Sequence, residues 1–295
     1  MKLVILLLAY MLRRRLDNHD RWNGDAAWRR WFGRGVSVEA GREDAIGRGL
    51  MAILVPVLLL ILIAWLVRGA GLGILLAPLD LVVLVALMGA PGWRRVLNDY
   101  ADAWARGDTQ AAWHHIQERL PASERGAALS PEAMHLALSR ALMTSVFNRY
   151  FLVVFWYLIG GLPVALLARG LVALADHWPA APARERYRRA AQWLAWIPAR
   201  LLSCTFGVAG DFAGWSRDIR RVLPGFGRST DEVLITAANG SLTGYALDPA
   251  RFSEVHPEQW PDFGGRSLAA VRDLLNRSML VWICVIALLV IAGVA

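Results

Sequence analysis

Four long apolar runs dominate the chain, with no strand-like alternation between them. Leu50–Val67 (LMAILVPVLLLILIAWLV) has no charged residue, and Leu72–Ala90 follows after Arg68-Gly69-Ala70-Gly71 with Asp80 as its one charge. Phe151–Ala175 carries only Arg169, and Met279–Ala295 carries none. A bilayer core about 30 Å thick takes roughly 20 apolar helical residues. Each run therefore predicts a membrane span, and the first two predict a tight hairpin. Met1–Leu12 is apolar but too short to cross, and Arg13-Arg14-Arg15 follows it. A secretory leader would put positive charge first and end on small residues, so a retained, partly inserted N-terminal helix is expected. Leu201–Trp215 is apolar except for Asp211 and leaves a fifth crossing open.

The connecting segments read as helical. Apolar positions recur near a period of 3.6 from Trp93 to Leu120, with Trp93, Val96, Leu97, Tyr100 and Trp104 on one face. Pro121 ends that pattern, because proline has no N–H for the helical ladder. Ser130-Pro131-Glu132 then supplies an N-cap, an N1 proline and a first-turn acid. Val233–Ala246 is the least helical stretch, with a turn expected at Asn239-Gly240. The expected fold is all-α: a polytopic membrane domain with four spans and cytoplasmic helices. Its parts are a basic N-terminal segment (1–49), a hairpin (50–90), cytoplasmic helices (91–150), a membrane core (151–215), a loop region (216–278) and a final span (279–295).

Composition supports that reading. Of the 295 residues 56% are hydrophobic and 19% charged, against about 25% charged in ordinary globular domains. Disordered and low-complexity classes are excluded, since they lack apolar residues. The net charge of +8 comes almost entirely from Arg, with Lys2 the single lysine. These arginines flank apolar runs, as in cytoplasmic loops, and do not form a nucleic-acid-binding stripe. No Gly-Lys-Ser/Thr phosphate loop exists. Arg and Lys number 10 in residues 1–49 and 7 in 91–150, which puts both segments in the cytoplasm. A third straight span would place 176–278 outside, yet that segment carries 13 Arg. Either Gly160-Gly161-Leu162-Pro163 folds the third span back, or Leu201–Trp215 crosses again; the second is favoured, because long loops obey the charge rule poorly. The 14 Trp suit headgroup boundaries, and Trp28–Arg34 (WRRWFGR) suits anionic membrane lipids. A bacterial inner-membrane location with a cytoplasmic N-terminus follows.

Few residues advertise chemistry. Asp80 lies at membrane depth, where a carboxylate needs a role or a partner. Asp17-Asn18-His19-Asp20 could gather a divalent ion but reads more simply as a polar helix exit. Neither a zinc-protease histidine pair nor a nucleophile elbow occurs. Cys204 and Cys284 read as small buried apolar residues. No catalytic residue, metal site or cofactor is expected.

FWYLIGGLP at 155–163, with Ala165, Leu166 and Arg169, resembles the membrane core of the CbiB or CobD cobinamide synthase family. Ile197-Pro198-Ala199-Arg200-Leu201 resembles a second stretch of it. The AmpE family is similar at the same places, and the order of segments here looks closer to AmpE. The resemblance implies an inner-membrane modulator in the β-lactam response and peptidoglycan-recycling setting. Four acidic stretches of the synthases have no counterpart: the exit of the first helix reads RRRLDNHDRWNGD, Thr144–Asn148 reads TSVFN, Ile116–Ala128 lacks the third, and Val172 and Ala175 replace the last pair. Amino-alcohol ligation with ATP needs such acids for Mg²⁺. The expectation is therefore a non-enzymatic binding platform. Its cleft is expected at Trp156, Gly160, Gly161, Pro163, Pro198 and Arg200, with Arg200 receiving an anionic group. A groove there would suit a partner's transmembrane helix. The alternatives are a divergent ATP-dependent synthase and a transporter using Asp80.

Overall fold

The computed structural model describes residues 2–18, 24–34, 46–89, 92–121, 124–125, 130–219, 227–242 and 246–293. Among the described residues there are α-helices, short 3-10 turns and one π segment, and no strand. The α-helices are α1 (Lys2–Asn18), α2 (Gly24–Gly33), α3 (Gly47–Gly69), α4 (Leu76–Leu87), α5 (Trp93–Ala105), α6 (Thr109–Ile116), α7 (Pro131–Val146), α8 (Leu152–His177), α9 (Ala181–Ala209), α10 (Phe212–Ile219), α11 (Thr230–Ser241), α12 (Pro249–Val255) and α13 (Trp260–Ile291). The chain forms two units. The first comprises Met1–Pro91, Phe147–Pro198 and Ile286–Ala295, and the second Gly92–Val146 and Ala199–Val285.

Among the described residues, three helical stretches are long and apolar enough to cross a membrane: Gly47–Gly69, Pro131–His177 and Pro257–Ile291. The expected span at 72–90 is instead a shorter apolar helix, Gly73–Leu87. Leu58, Leu59, Leu62 and Trp65 of α3 are all at least half exposed. An apolar surface of that kind suits lipid, because lipid tails impose no hydrophobic penalty. Cys204 and Cys284 are exposed, contrary to the expected burial; a thiol on an apolar outer face needs no packing partner in lipid.

The first unit corrects the picture of 151–175 as a straight span. Gly161 within α8 has φ 70° and ψ −167°, a conformation that costs side-chain-bearing residues strain. Pro163 follows at the start of the second arm, where its missing N–H is harmless. Arg149 and Arg169 are 169 − 149 = 20 residues apart, which is about 30 Å along a straight helix. Both nonetheless approach the one carboxylate of Asp25, at 2.5 and 3.4 Å. The chain therefore doubles back at Gly161, and arms 152–160 and 162–177 form a hairpin.

Around it, α1 packs on α4, and α3 packs on α8. Ile53 of α3 lies over Gly170, where a Cβ would overlap it. Tyr187 Oη donates to the carbonyl of Ile46 at 2.8 Å beside Gly49. In α2, the Trp31 indole donates to the Ala52 carbonyl at 3.1 Å, and Phe32 stacks on Trp28 and meets Trp178 edge-on. The WRRWFGR stretch thus packs on protein through two of its aromatics.

In the second unit, the helix expected over Trp93–Leu120 is broken at Gly107 (φ 72°). Asp108 caps α6 by accepting from the Ala111 N–H at 2.9 Å. Ser130 caps α7 as anticipated, accepting from the Ala133 N–H at 3.2 Å. Leu201–Trp215 is not one crossing segment. Helix α9 ends at Ala209, and α10 folds back so that the Trp215 indole donates to the Ser203 carbonyl at 2.7 Å and lies on Gly207. Asn239-Gly240 is helical, not a turn; Gly240 lets α11 approach the backbone of Gly214 and Trp215. Much of the expected loop region, 216–278, is likewise helical. Residues 243–245 lie outside the described residues.

Candidate functional site

The polar centre of the first unit is Asp25. It sits in the first turn of α2, where the helix dipole favours a carboxylate. Arg149 Nη2 donates to its Oδ2 at 2.5 Å, while Arg149 Nη1 donates to the Gly89 carbonyl at 2.9 Å. Arg169 Nη2 lies 3.4 Å and His177 Nε2 3.5 Å from Oδ1. Burial alone would raise the pKa of Asp25. The His177 contact and the charges of Arg149 and Arg169 outweigh it and hold the carboxyl well below the usual carboxylate range. Arg169 is 2% exposed, and its Nε and Nη1 have no hydrogen-bond partner.

A second acid, Asp17, closes the end of α1. It accepts from Arg13 Nε at 3.0 Å and from Tyr150 Oη at 2.6 Å. Arg13 is itself buried, reaches the Val85 carbonyl at 3.4 Å, and lies on Gly89, whose φ of 108° and missing Cβ admit it. Two carboxylates thus tie together α1, α2, the end of α4, the π segment Phe147–Phe151 that leads into the hairpin, and its second arm. His19 and Asp20, considered with Asp17 as ion ligands, lie outside the described residues, as does Trp22.

The residues expected at the site fall as follows. Half-buried Asp80 accepts from Tyr157 Oη at 3.0 Å. Trp156 donates to the Leu194 carbonyl at 3.2 Å, which ties the first arm to α9. Gly160, Gly161 and Pro163 form the hairpin tip, and a Cβ at Gly160 would overlap Val164. Pro198 is buried within α9 and ends the first unit's share of that helix. Arg200 belongs to the second unit and is buried at 8% exposure. The site described here is accordingly that of the first unit.

The second unit has its own buried polar line. Tyr100 Oη lies 3.1 Å from His135 Nδ1, His135 Nε2 lies 2.8 Å from Ser267 Oγ, and Ser267 Oγ donates to the Ala246 carbonyl at 2.6 Å. Complete burial disfavours a charged imidazole, and with His135 neutral one protonation pattern satisfies all three. Ser267 gives its proton to Ala246, so it accepts from Nε2–H, and Nδ1 accepts from Tyr100. The imidazole is neutral, and burial pushes the Tyr100 pKa up, which keeps its proton in place. Trp104 and Phe263 surround the ring.

The family described as "Regulatory signalling modulator protein AmpE" matches residues 1–295. The chain belongs to the AmpE family. A curated relative, the cobalamin biosynthesis protein CobD of Stutzerimonas stutzeri (strain A1501), is 28% identical over 283 residues, covering 91% of this chain and 83% of the relative. No solved structure matches.

Sequence reasoning missed the Asp25 cluster of this AmpE-family chain. Arg169 was visible as the one charge in 151–175, but the link from Arg149 to Arg169 exists only once the hairpin forms. The available signal was the Gly-Gly-Leu-Pro break. Taken as a fold-back, it would have put the two arginines at one level and called for an acid between them.

Proposed function

We propose that this protein is a non-enzymatic regulatory modulator of the bacterial inner membrane, acting in the β-lactam response and peptidoglycan recycling. The observation that carries this reading is the AmpE family match over the whole chain. The proposed mechanism uses a synthase-like scaffold as a binding platform. Its carboxylates Asp17 and Asp25 join helices to one another, so binding at α2 is felt by the hairpin's second arm and by the segment leading into the first through a single group. The hairpin also supports the topology. If both ends of Phe147–His177 share one side, then Arg184, Arg186, Arg188 and Arg189 lie on the side of residues 91–150, as the positive-inside rule prefers. The exposed apolar face of α3 would then meet lipid or a partner's helix. The test is deletion of the gene in its own host, with β-lactamase induction measured on β-lactam challenge. We expect altered induction, restored by the wild-type gene; unchanged induction would overturn the reading.

A second reading, a cobalamin-pathway synthase, is favoured by the similarity to the CobD relative across 91% of this chain. Its test is complementation of a cobinamide-synthase deletion. Growth without added cobinamide would establish it, and no growth from well-expressed protein would remove it.

A further inference from the structure

Helix α9 is not among the three stretches apolar enough to cross a membrane, yet the outward face of its first-unit part, residues 181–198, changes character along its length. Arg186, Arg189, Trp193 and Ile197 follow one another at spacings of three and four, so they share one side of the helix. All four are exposed, Trp193 at 75% and Ile197 at 48%. Residues 184–189 hold four Arg and one Glu, a net charge of 4 − 1 = +3. Glu185 meets Arg188 at 2.8 Å and Arg189 at 3.7 Å, and exposed pairs of this kind hold their partners weakly. The neighbouring span α3 makes the same change at the same level. Tyr187 Oη donates to the Ile46 carbonyl at 2.8 Å, and Arg189 and Arg48 each stand two residues beyond that contact. One and two turns further along α3, Met51 is 64% and Val55 59% exposed. A row of rings fixes the level from inside: Phe32 meets Trp178 at 5.8 Å, and Trp178 meets Tyr187 at 6.0 Å. Both helices leave it toward the hairpin tip. On α3, Gly49 faces Leu174 and Ile53 lies over Gly170. On α9, the Leu194 carbonyl accepts from Trp156, which is 161 − 156 = 5 residues before the turn at Gly161.

We infer that this part of α9 enters the bilayer beside α3, and that its outward face from Arg186 to Ile197 is a contact surface for anionic phospholipid. Along the helix, Trp193 lies about 6 Å and Ile197 about 12 Å from Arg189. A hydrocarbon core of about 30 Å inside a bilayer of about 40–45 Å leaves a headgroup layer of about 5–7 Å on each side. The three residue types therefore match three depths. Arg186 and Arg189 lie among headgroup phosphates, which a guanidinium binds through paired donors. Trp193 lies at the boundary that suits an indole, and Ile197 lies among acyl chains. Lipid is the occupant that this order fits, because the face changes in step with α3, and the charge at its start complements an anionic surface. A hydropathy average hides the segment, since it counts the charged end of the helix with the apolar end. The inference goes beyond the regulatory reading and needs only the membrane setting.

The test uses the full-length protein in nanodiscs of mixed phosphatidylglycerol and phosphatidylcholine. Cys204 and Cys284 are replaced by Ser, and Arg189→Cys, Trp193→Cys or Ile197→Cys then carries a single nitroxide. Collisions with oxygen, which concentrates among acyl chains, are compared with collisions with a water-soluble nickel chelate. Oxygen should gain over nickel in the order 189, 193, 197. Equal nickel access at all three positions would place the face in water. Low access to both reagents at 193 and 197 would place it under protein. Either result overturns the inference. Headgroup contact is read separately, from the preference of the protein's lipid shell for spin-labelled phosphatidylglycerol over spin-labelled phosphatidylcholine. Arg186→Gln with Arg189→Gln should lower that preference by about twofold, and Arg186→Lys with Arg189→Lys should keep most of it. An unchanged preference in the glutamine variant overturns the assignment to anionic lipid. Both readouts use purified protein, so their failure leaves the β-lactamase induction result standing by itself.

Discussion

The two units each bury polar groups, and they do it differently. In the second, Tyr100, His135, Ser267 and the Ala246 carbonyl form a line in which each donor meets one acceptor. In the first, Arg149, Arg169 and His177 converge on Asp25 at 2.5, 3.4 and 3.5 Å, Asp176 adds a second negative charge, and two donors of Arg169 have no hydrogen-bond acceptor. A satisfied network holds a fold in one arrangement. A charged cluster holds it only while its carboxylate stays ionised.

Breaking the first network should have the largest effect. Asp25→Ala leaves buried Arg169 and part-buried Arg149 without this carboxylate, and removal of one partner from a buried pair costs about 3–5 kcal/mol. The measurement is thermal unfolding in mild detergent. The same carboxylate sets a pH dependence. Its folded pKa lies below the roughly 3.9 of an unfolded Asp. The unfolded chain therefore takes up the proton first. The stabilisation is complete above that value and is lost as pH falls below it, at up to about 1.4 kcal/mol per pH unit. Asp25→Asn should abolish this acid-side slope, and an unchanged slope in that variant would remove Asp25 from the account.

His135→Ala sharpens the comparison from the other side. It strands the Tyr100 hydroxyl and deprives Ser267 of a donor in a fully buried pocket. The expected loss is about 2–4 kcal/mol from unmet hydrogen bonds and the cavity together. Thermal unfolding measures it, and a loss below about 1 kcal/mol would show that this line does not hold the unit together.

Next in size is Gly161→Ala, which tests whether the hairpin is needed for the Asp25 cluster. A side chain at φ 70° and ψ −167° costs about 1–3 kcal/mol. If the fold-back positions Arg149 and Arg169, the acid-side slope set by Asp25 should weaken along with stability. Lost stability with an unchanged slope would separate the hairpin from the cluster.

These tests fall on features that were unevenly legible in the chain. The helical class, the apolar α3 and the Ser130 cap could be read directly, because apolar runs and capping residues act over one or two turns. The fold-back was legible only as one of two ways to reconcile the Arg-rich segment after residue 176. Charge counting over long loops did not decide it, whereas the φ of Gly161 and the meeting of Arg149 with Arg169 do. Helix α11 was misjudged because Asn239-Gly240 usually marks a turn. Here the glycine serves a close approach to Gly214 instead. Asp25 could not be found from spacing, since its partners lie more than a hundred residues away in the chain.

The smallest expected effect belongs to Asp80→Asn, and it decides the transporter alternative. Asp80 is half-buried and accepts one hydrogen bond, from Tyr157 Oη at 3.0 Å. The amide oxygen of Asn can accept the same bond, so stability should change by less than about 1 kcal/mol. A platform that works through Asp25 and Arg169 needs no proton or ion carried at Asp80. β-Lactamase induction in cells should then match wild type. If the variant is stable and present in the membrane yet inactive, the carboxylate itself is required, and the functional centre moves from the Asp25 cluster to the pair made by Asp80 and Tyr157.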